Sequence, residues 1–259
     1  MAQAMETGHS LGARFRFRLG KAVIGTIDFL IANRLFPFAS RFPIGIRMHH
    51  DLNRFLGHQP GVIVDAGANV GQTALAFARY WPRASIHSFE PVGASYAQLC
   101  ANCAALPAIR CHHYALGEAD EEMNMLLQEN SELNSLSPQA APSATNASER
   151  IRVRRLDDWA VEQGAGRIDL LKMDVEGHEL RLLDGAEGLL RAGKIDAVFA
   201  ECRFLRNDTP QVLFQDLDQR LTDAGMLFSG FYESYRWGPA RRWTAFANGL
   251  WLLPDKRRS

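Results

Sequence analysis

Cysteine is scarce in this chain: four residues, Cys100, Cys103, Cys111 and Cys202, stand at spacings too irregular for the framework of a disulfide-stapled secreted domain. Cys100 and Cys103 make one C-x-x-C, but no second follows, and both sit in "SYAQLCANCAAL", which reads as one amphipathic helix. They are read as small packing residues in a reducing cytosol rather than as zinc or redox ligands. On that reading the sequons Asn146-Ala-Ser148 and Asn207-Asp-Thr209 are chance matches. Net charge is absent too, with 29 Lys+Arg against 29 Asp+Glu. The balance is uneven along the chain. Residues 1–60 carry eight basic against three acidic groups (+5), residues 241–259 five against one (+4), and the middle is therefore −9. An acidic body offers no basic stripe, which excludes a nucleic-acid partner.

A long apolar run is also missing. A spanning helix wants about 20 nearly uncharged residues, whereas the apolar stretch from Ala22 to Leu35 is shorter, follows Lys21, contains Asp28 and is preceded by Arg14, Arg16 and Arg18. No small-residue cleavage pattern follows it directly, so it is no signal peptide either. Residues 1–50 are expected to form a basic, amphipathic helical extension that lies on a membrane surface, on the enzyme's own body or on a second copy of the chain. The expected setting is the cytoplasm, with peripheral membrane contact and homo-oligomerisation as the roles open to this extension.

The last absence is the most informative. "VIVDAGANVGQTALAFARYWPRASIHSFEP", from Val62 to Pro91, has the strand, glycine turn and helix of a nucleotide-type βα unit. A dinucleotide turn carries a second glycine two places after the first, so that pyrophosphate can approach the helix N-terminus. Here that place is Asn69, between Gly67 and Gly71, so a pyrophosphate ligand is disfavoured. Asp65, just before the turn, would repel phosphate but suits an ammonium or sulfonium. Glu90 ends the next apolar run, where a carboxylate can accept both ribose hydroxyls while Pro91 stops the strand. A cationic adenosine compound without phosphate is S-adenosylmethionine. Its expected contacts are Asp65, Gly67, Asn69, Gly71, Glu90 and Pro91.

With 47% hydrophobic and 22% charged residues, 259 residues bury a core as one large α/β domain, expected over 51–259. Strands alternate with helices and there is no internal repeat, which argues for a doubly wound, mostly parallel sheet with ligands at the strands' carboxyl ends. "EMNMLLQ" and "RIRVRRL" read as a β-hairpin-like insertion whose polar tip, 128–149, is expected to be a lid. "RIDLLKMDVEGHELRLLDGAEGLLRAG" reads as a buried strand, Ile168 to Met173, then a single helix from His178 to Arg191. "MLFSGFY" and "TAFANGLWLLP" read as a closing antiparallel pair.

By the switch-point rule, Asp65, Gly67, Glu90, Asp174 and Glu201 face one crevice. Two chemistries fit the cluster. In one, His178 or a carboxylate of the cluster is the general base that takes a proton from an acceptor hydroxyl, with Asp174, Glu176 and His178 as the expected catalytic residues. In the other, Asp174, Glu176 and Glu201 hold magnesium, which acidifies the hydroxyl. Glu179 is assigned a structural place at the helix N-terminus, and Lys172 a pairing role.

"VIVDAGANVGQTAL", "HSFEP", "LNSLS", "RLDDW" and "IDLLKMDVEGHELRLLDGA" together resemble the FkbM family of S-adenosylmethionine-dependent methyltransferases, from about Asp51 to Pro254. The resemblance implies a class I methyltransferase (Rossmann-like) fold, with a seven-stranded sheet whose last strand is antiparallel. It also implies O-methylation of a small-molecule or glycan hydroxyl, with the acidic tract falling on Asp174, Glu176, Gly177, His178 and Glu179. The rival readings are a nicotinamide-dependent oxidoreductase and a non-catalytic, cofactor-sensing or membrane-attached module.

Overall fold

The computed structural model describes residues 43–126, 148–204 and 212–254. The chain divides between Ile44 and Gly45, and the architecture is that of the unit beginning at Gly45. The amphipathic stretch from Ala22 to Leu35 and nearly all of the 128–149 tip lie outside the described residues. No helix among the described residues is long and apolar enough to cross a membrane.

In chain order the unit runs α1 (Met48–Leu56), β1 (Val62–Ala66), α2 (Gln72–Tyr80), β2 (Ser85–Phe89), α3 (Gly93–Cys103), β3 (Ile109–His112), β4 (Ala115–Leu116), β5 (Glu121–Leu126), β6 (Ser148–Arg154), α4 (Leu156–Gln163), β7 (Leu170–Met173), α5 (Glu179–Asp184), α6 (Glu187–Arg191), β8 (Ala197–Arg203), α7 (Phe214–Asp223), β9 (Leu227–Trp237) and β10 (Trp243–Leu252). Seven strands make one sheet in the order β3-β2-β1-β7-β8-β10-β9. Neighbours pair in parallel from β3 to β8. Only β10 runs against its neighbours, β8 and β9. This is the class I methyltransferase arrangement that the resemblance implies.

The central strands are covered on both faces, which is why they read as near-continuous apolar runs rather than as alternating ones. One face packs Ile63, Ile86, Leu170 and Phe199 under α1, α2 and α3, through Leu52, Phe77 and Leu99. The other packs Val64, Phe89, Leu171 and Val198 under α4 to α7, through Trp159, Leu182, Leu190 and Leu217. Helix α1 is fixed to the first face by the Tyr232 hydroxyl, which donates to Asp51 Oδ2 at 2.8 Å. Residues 45–50 therefore belong to the same unit as the sheet.

The expected hairpin insertion is present: β5 and β6 pair antiparallel, and β4 joins β6 in parallel. This second sheet has a small core of Val92, Ala115, Met125, Ile151 and Val153.

The single helix expected from His178 to Arg191 is instead two, α5 and α6, broken at Gly185 and Ala186. The reason is a backbone contact: a Cβ at Gly185 would lie 1.8 Å from the Gly117 carbonyl oxygen. The Gly185 carbonyl meanwhile accepts from the Asp157 N–H at 3.0 Å. Asp157 then caps the second helix from α4, its carboxylate accepting from the N–H groups of Gly188 (2.8 Å) and Leu189 (2.9 Å). Two of the four orphan donors at that helix start are satisfied this way.

Candidate functional site

The turn after β1 folds back over the end of β2. The N–H groups of Gly67 and Ala68 both donate to the Phe89 carbonyl, at 3.1 and 3.0 Å. Gly67 has φ +73°, and a Cβ there would sit 1.9 Å from the Asp174 carbonyl oxygen, so only glycine lets the β1 turn touch the end of β7. Gly71, at φ +92°, is needed for a different contact: a Cβ there would meet Leu99 Cδ1 at 2.8 Å and Cys103 Sγ at 3.1 Å. Gly71 thereby lets α2 start close against α3.

Asn69 also has a left-handed backbone, φ +47°. Its N–H donates to Glu90 Oε2 at 2.9 Å, while Glu90 Oε1 accepts from the Val92 N–H at 2.9 Å. Glu90 thus clamps the turn from the neighbouring strand end, with Pro91 next in the chain. Burial raises its pKa, although both backbone donors and Lys172 pull the other way. The carboxylate oxygens retain lone pairs for further donors. The Asn69 Oδ1 atom, at the same turn, is buried with no hydrogen-bond partner.

Asp65 is fully buried on the Ile63 face of β1, and its charge is met from within the protein. Lys172 Nζ lies 3.1 Å from Asp65 Oδ1, 3.7 Å from Asp174 Oδ2 and 3.2 Å from the Gly67 carbonyl oxygen. At 0% exposure, the partner of Asp65 in this structure is the Lys172 ammonium. Burial works against the charge on Lys172, but Asp65 and Asp174 together outweigh it and hold the ammonium above its ordinary pKa. One buried cation ties the glycine turn to the start of the acidic tract.

The tract turns through two left-handed residues, Glu176 (φ +49°) and Gly177 (φ +101°). Glu179, 3% exposed, holds the turn from below by accepting from the N–H groups of Val175 (3.2 Å) and Gly177 (3.4 Å). Burial lifts its pKa to about 7 against those donors, with the Asp174 charge adding to the rise. This is the structural place expected of it. His178 is 7% exposed; burial, with Arg181 behind it, lowers its pKa to about 4, so the ring is neutral at pH 7.

Glu201 on β8 faces the tract. Burial, followed by the charges of Asp174 and Glu176, lifts its carboxyl to about 7 despite Arg203.

Beside them lies a cleft of about 290 Å³ between the start of α1, α2 and the sheet, whose walls include Met48, Thr73, Lys172, Asp174, Glu233 and Asn248; Gly67, Asn69, Glu90 and Glu201 are not among its lining residues. Of the expected catalytic residues, Asp174 lines the cleft, and Glu176 and His178 do not. Among the described residues, Asp174, Glu176 and Glu201 are not gathered closely enough to share a metal ion; the group that is comprises His58, Asp169 and Asp196. That group precedes β1, β7 and β8, at the opposite end of the sheet, and its carboxylates are already used. Asp169 accepts from the N–H groups of Gly61 and Val62, both at 2.8 Å, and Asp196 is paired with Arg167.

The bridging position of Lys172 and the presence of Glu233 and Asn248 were not read from the sequence. A lysine inside the buried run "LLKM" signals the first; nothing in the alternation of "FYESY" signals the second.

The model of the methyltransferase FkbM domain matches residues 65–228. Methyltransferase sdnD of Sordaria araneosa is 33% identical over 155 residues, 48% of this chain and 60% of that protein. The 2-O-methyltransferase NoeI of Sinorhizobium fredii (strain NBRC 101917 / NGR234) is 27% identical over 158 residues, 56% of this chain and 65% of that protein. The chain thus spans less than two thirds of the length of these curated relatives. Among solved structures, the METTL16 MTase domain aligns over 80% of this chain and 66% of that chain, at 12% identity and a TM-score of 0.47.

Proposed function

The chain belongs to the FkbM methyltransferase family, whose model matches it over residues 65–228, and from that premise we propose that it is an S-adenosylmethionine-dependent O-methyltransferase acting on a hydroxyl of a small molecule or glycan. One observation carries the reading of the acceptor side: Met173 pairs with Ala200, so Glu201 follows at the end of β8 beside Asp174, which lines the cleft, and burial with the Asp174 and Glu176 charges lifts its carboxyl to about 7. A carboxylate poised near neutrality suits proton removal from a weakly nucleophilic hydroxyl. The residues at the glycine turn fit the cofactor. Gly67 leaves no room for a Cβ, Asn69 Oδ1 is a buried acceptor without a donor, and Glu90 offers lone pairs where ribose hydroxyls would come.

When bound there, S-adenosylmethionine supplies a methyl group on a sulfonium. The chain's own contribution is position and charge. Glu90 and the Gly67–Asn69 turn hold the ribose end, and Lys172 keeps Asp174 and the Gly67 carbonyl in fixed register. Asp174 orients the acceptor hydroxyl and Glu201 receives its proton, with burial and then the charges of Asp174 and Glu176 keeping the Glu201 pKa high. His178, neutral and buried, stands at the start of α5, where its backbone carbonyl accepts from the Leu182 N–H. Alignment of the reacting groups supplies much of the rate. Proton removal is assigned to Glu201 in preference to magnesium because the three carboxylates offered for the metal are not gathered.

Calorimetric titration with S-adenosylmethionine, its demethylated product and NAD tests the cofactor. Binding of the first two and not the third is expected; NAD binding alone would return the oxidoreductase reading.

A further inference from the structure

Strand β9 carries an irregularity at the wall of the cleft. Tyr232 pairs with Asn248 and Tyr235 pairs with Phe246, so Glu233 and Ser234 oppose the single residue Ala247. This is a β-bulge, and its first residue, Glu233, is left-handed at φ +51°. Glycine is the residue suited to that position; a glutamate there is strained. The strain is held in place from both sides. Tyr232 is pinned by its bond to Asp51, and Asn248 Nδ2 donates to Glu233 Oε2 at 2.9 Å.

The bulge changes where Glu233 points. In a regular strand, successive side chains fall on opposite faces, but here Tyr232 and Glu233 both line the cleft. Asn248 is also paired in register with Glu201 across β8 and β10. Directly opposed residues of an antiparallel pair have Cα atoms roughly 4.5–5.5 Å apart and share a face, so Asn248 and its Glu233 partner flank the proposed proton acceptor. A bulge beside an active site commonly serves to re-aim a side chain, and backbone strain tends to persist where function uses it.

We infer that Glu233 and Asn248 form the acceptor-recognition pair of the cleft, taking the vicinal diol of a pyranose ring: one hydroxyl lies at Glu201, and its neighbour is held between the Glu233 carboxylate and the Asn248 amide. A hydroxyl both donates and accepts, and the pair offers it one group of each kind. The inference rests on the reading of the chain as a hydroxyl methyltransferase and adds the residues that select the acceptor.

The test uses the full chain saturated with S-adenosylhomocysteine, and saturation-transfer NMR with a panel of methyl pyranosides, with cyclohexanol as the single-hydroxyl control. The wild type is expected to bind at least one pyranoside and to ignore cyclohexanol. Glu233→Gln and Asn248→Ala should weaken that binding at least tenfold, with affinity for S-adenosylhomocysteine within twofold of wild type. Glu233→Gly, which suits the left-handed backbone, should melt no lower than wild type while losing the pyranoside. Unchanged pyranoside binding in the variants, or a markedly lower melting temperature for Glu233→Gly, would overturn the inference by making the pair structural. If the wild type binds S-adenosylmethionine and methylates single-hydroxyl alcohols but takes no pyranoside, the methyltransferase reading stands and this inference falls. If it binds no S-adenosylmethionine, both fall.

Discussion

Replacing Lys172 with methionine should destabilise the whole domain far beyond what one lost surface contact would do. The side chain is 7% exposed and faces Asp65, which is 0% exposed, across 3.1 Å. Among the described residues, Lys172→Met leaves that carboxylate buried with only Ser88 Oγ, at 3.5 Å, donating to it. Breaking a buried pair by removing one member costs about 3–5 kcal/mol, because the other charge stays desolvated. That is a large share of the ~5–15 kcal/mol by which domains are stable.

The sign of the pH dependence follows. The folded pKa of Lys172 lies above its ordinary 10.5, so the contribution is complete below that value and is lost only as pH rises past the folded pKa. At pH 7 the full effect is present. Urea unfolding at pH 7 of wild type, Lys172→Met, Asp65→Asn and the double variant gives the answer. The double variant should recover stability over Lys172→Met, since it no longer buries an unpaired charge, and the coupling between the two sites should exceed ~1 kcal/mol. A loss below ~1 kcal/mol in Lys172→Met, or additive single changes, would refute the buried-pair argument.

Three further outcomes are expected. Glu90→Ala should weaken S-adenosylmethionine binding by ~1–3 kcal/mol, as loss of hydrogen bonds to a charged group does; calorimetry showing equal affinity would remove Glu90 from the ribose site. Glu201→Gln should lower turnover by roughly 10²–10⁴-fold with cofactor affinity intact. In wild type the rate should climb as pH passes about 7, and the variant's pH–rate profile should lack that limb; a profile shared by both would move the proton acceptor elsewhere. For Glu179, burial raises the folded pKa to about 7 from an ordinary 4.5, so the native state binds more protons and stability falls as pH rises through that window. Denaturation of Glu179→Gln at pH 5 and pH 8 should show a smaller difference than wild type, and an equal or larger one would contradict the assignment.

Much of the fold is legible in the sequence because its signals are local. The parallel strands are buried on both faces and so appear as apolar runs such as "VIV" and "LLKM". The closing pair and the β5–β6 insertion show up as alternation. The glycine turn and Glu90 are legible because a left-handed turn and a strand-end acid leave fixed residue types at fixed spacing. What was missed depends on contacts far apart in the chain. The break at Gly185 exists because the Gly117 backbone approaches it, and no window around residue 185 contains that fact. Asp65 reads as an open acid until Lys172 is placed beside it. The bulge at Glu233 arises from the register of β9 on β10, which the alternating residues of either strand do not reveal.

The central claim is methyl transfer from S-adenosylmethionine to oxygen, and its most direct measurement is an incubation of the full chain with S-adenosylmethionine carrying a ¹³C methyl group and the pyranoside panel, read by NMR. The expected result is a ¹³C methyl ether on one ring oxygen, formed in equal amount with S-adenosylhomocysteine by wild type and strongly diminished in Glu201→Gln. A ¹³C label on nitrogen or carbon, or an ether formed equally well by the Glu201 variant, would contradict it.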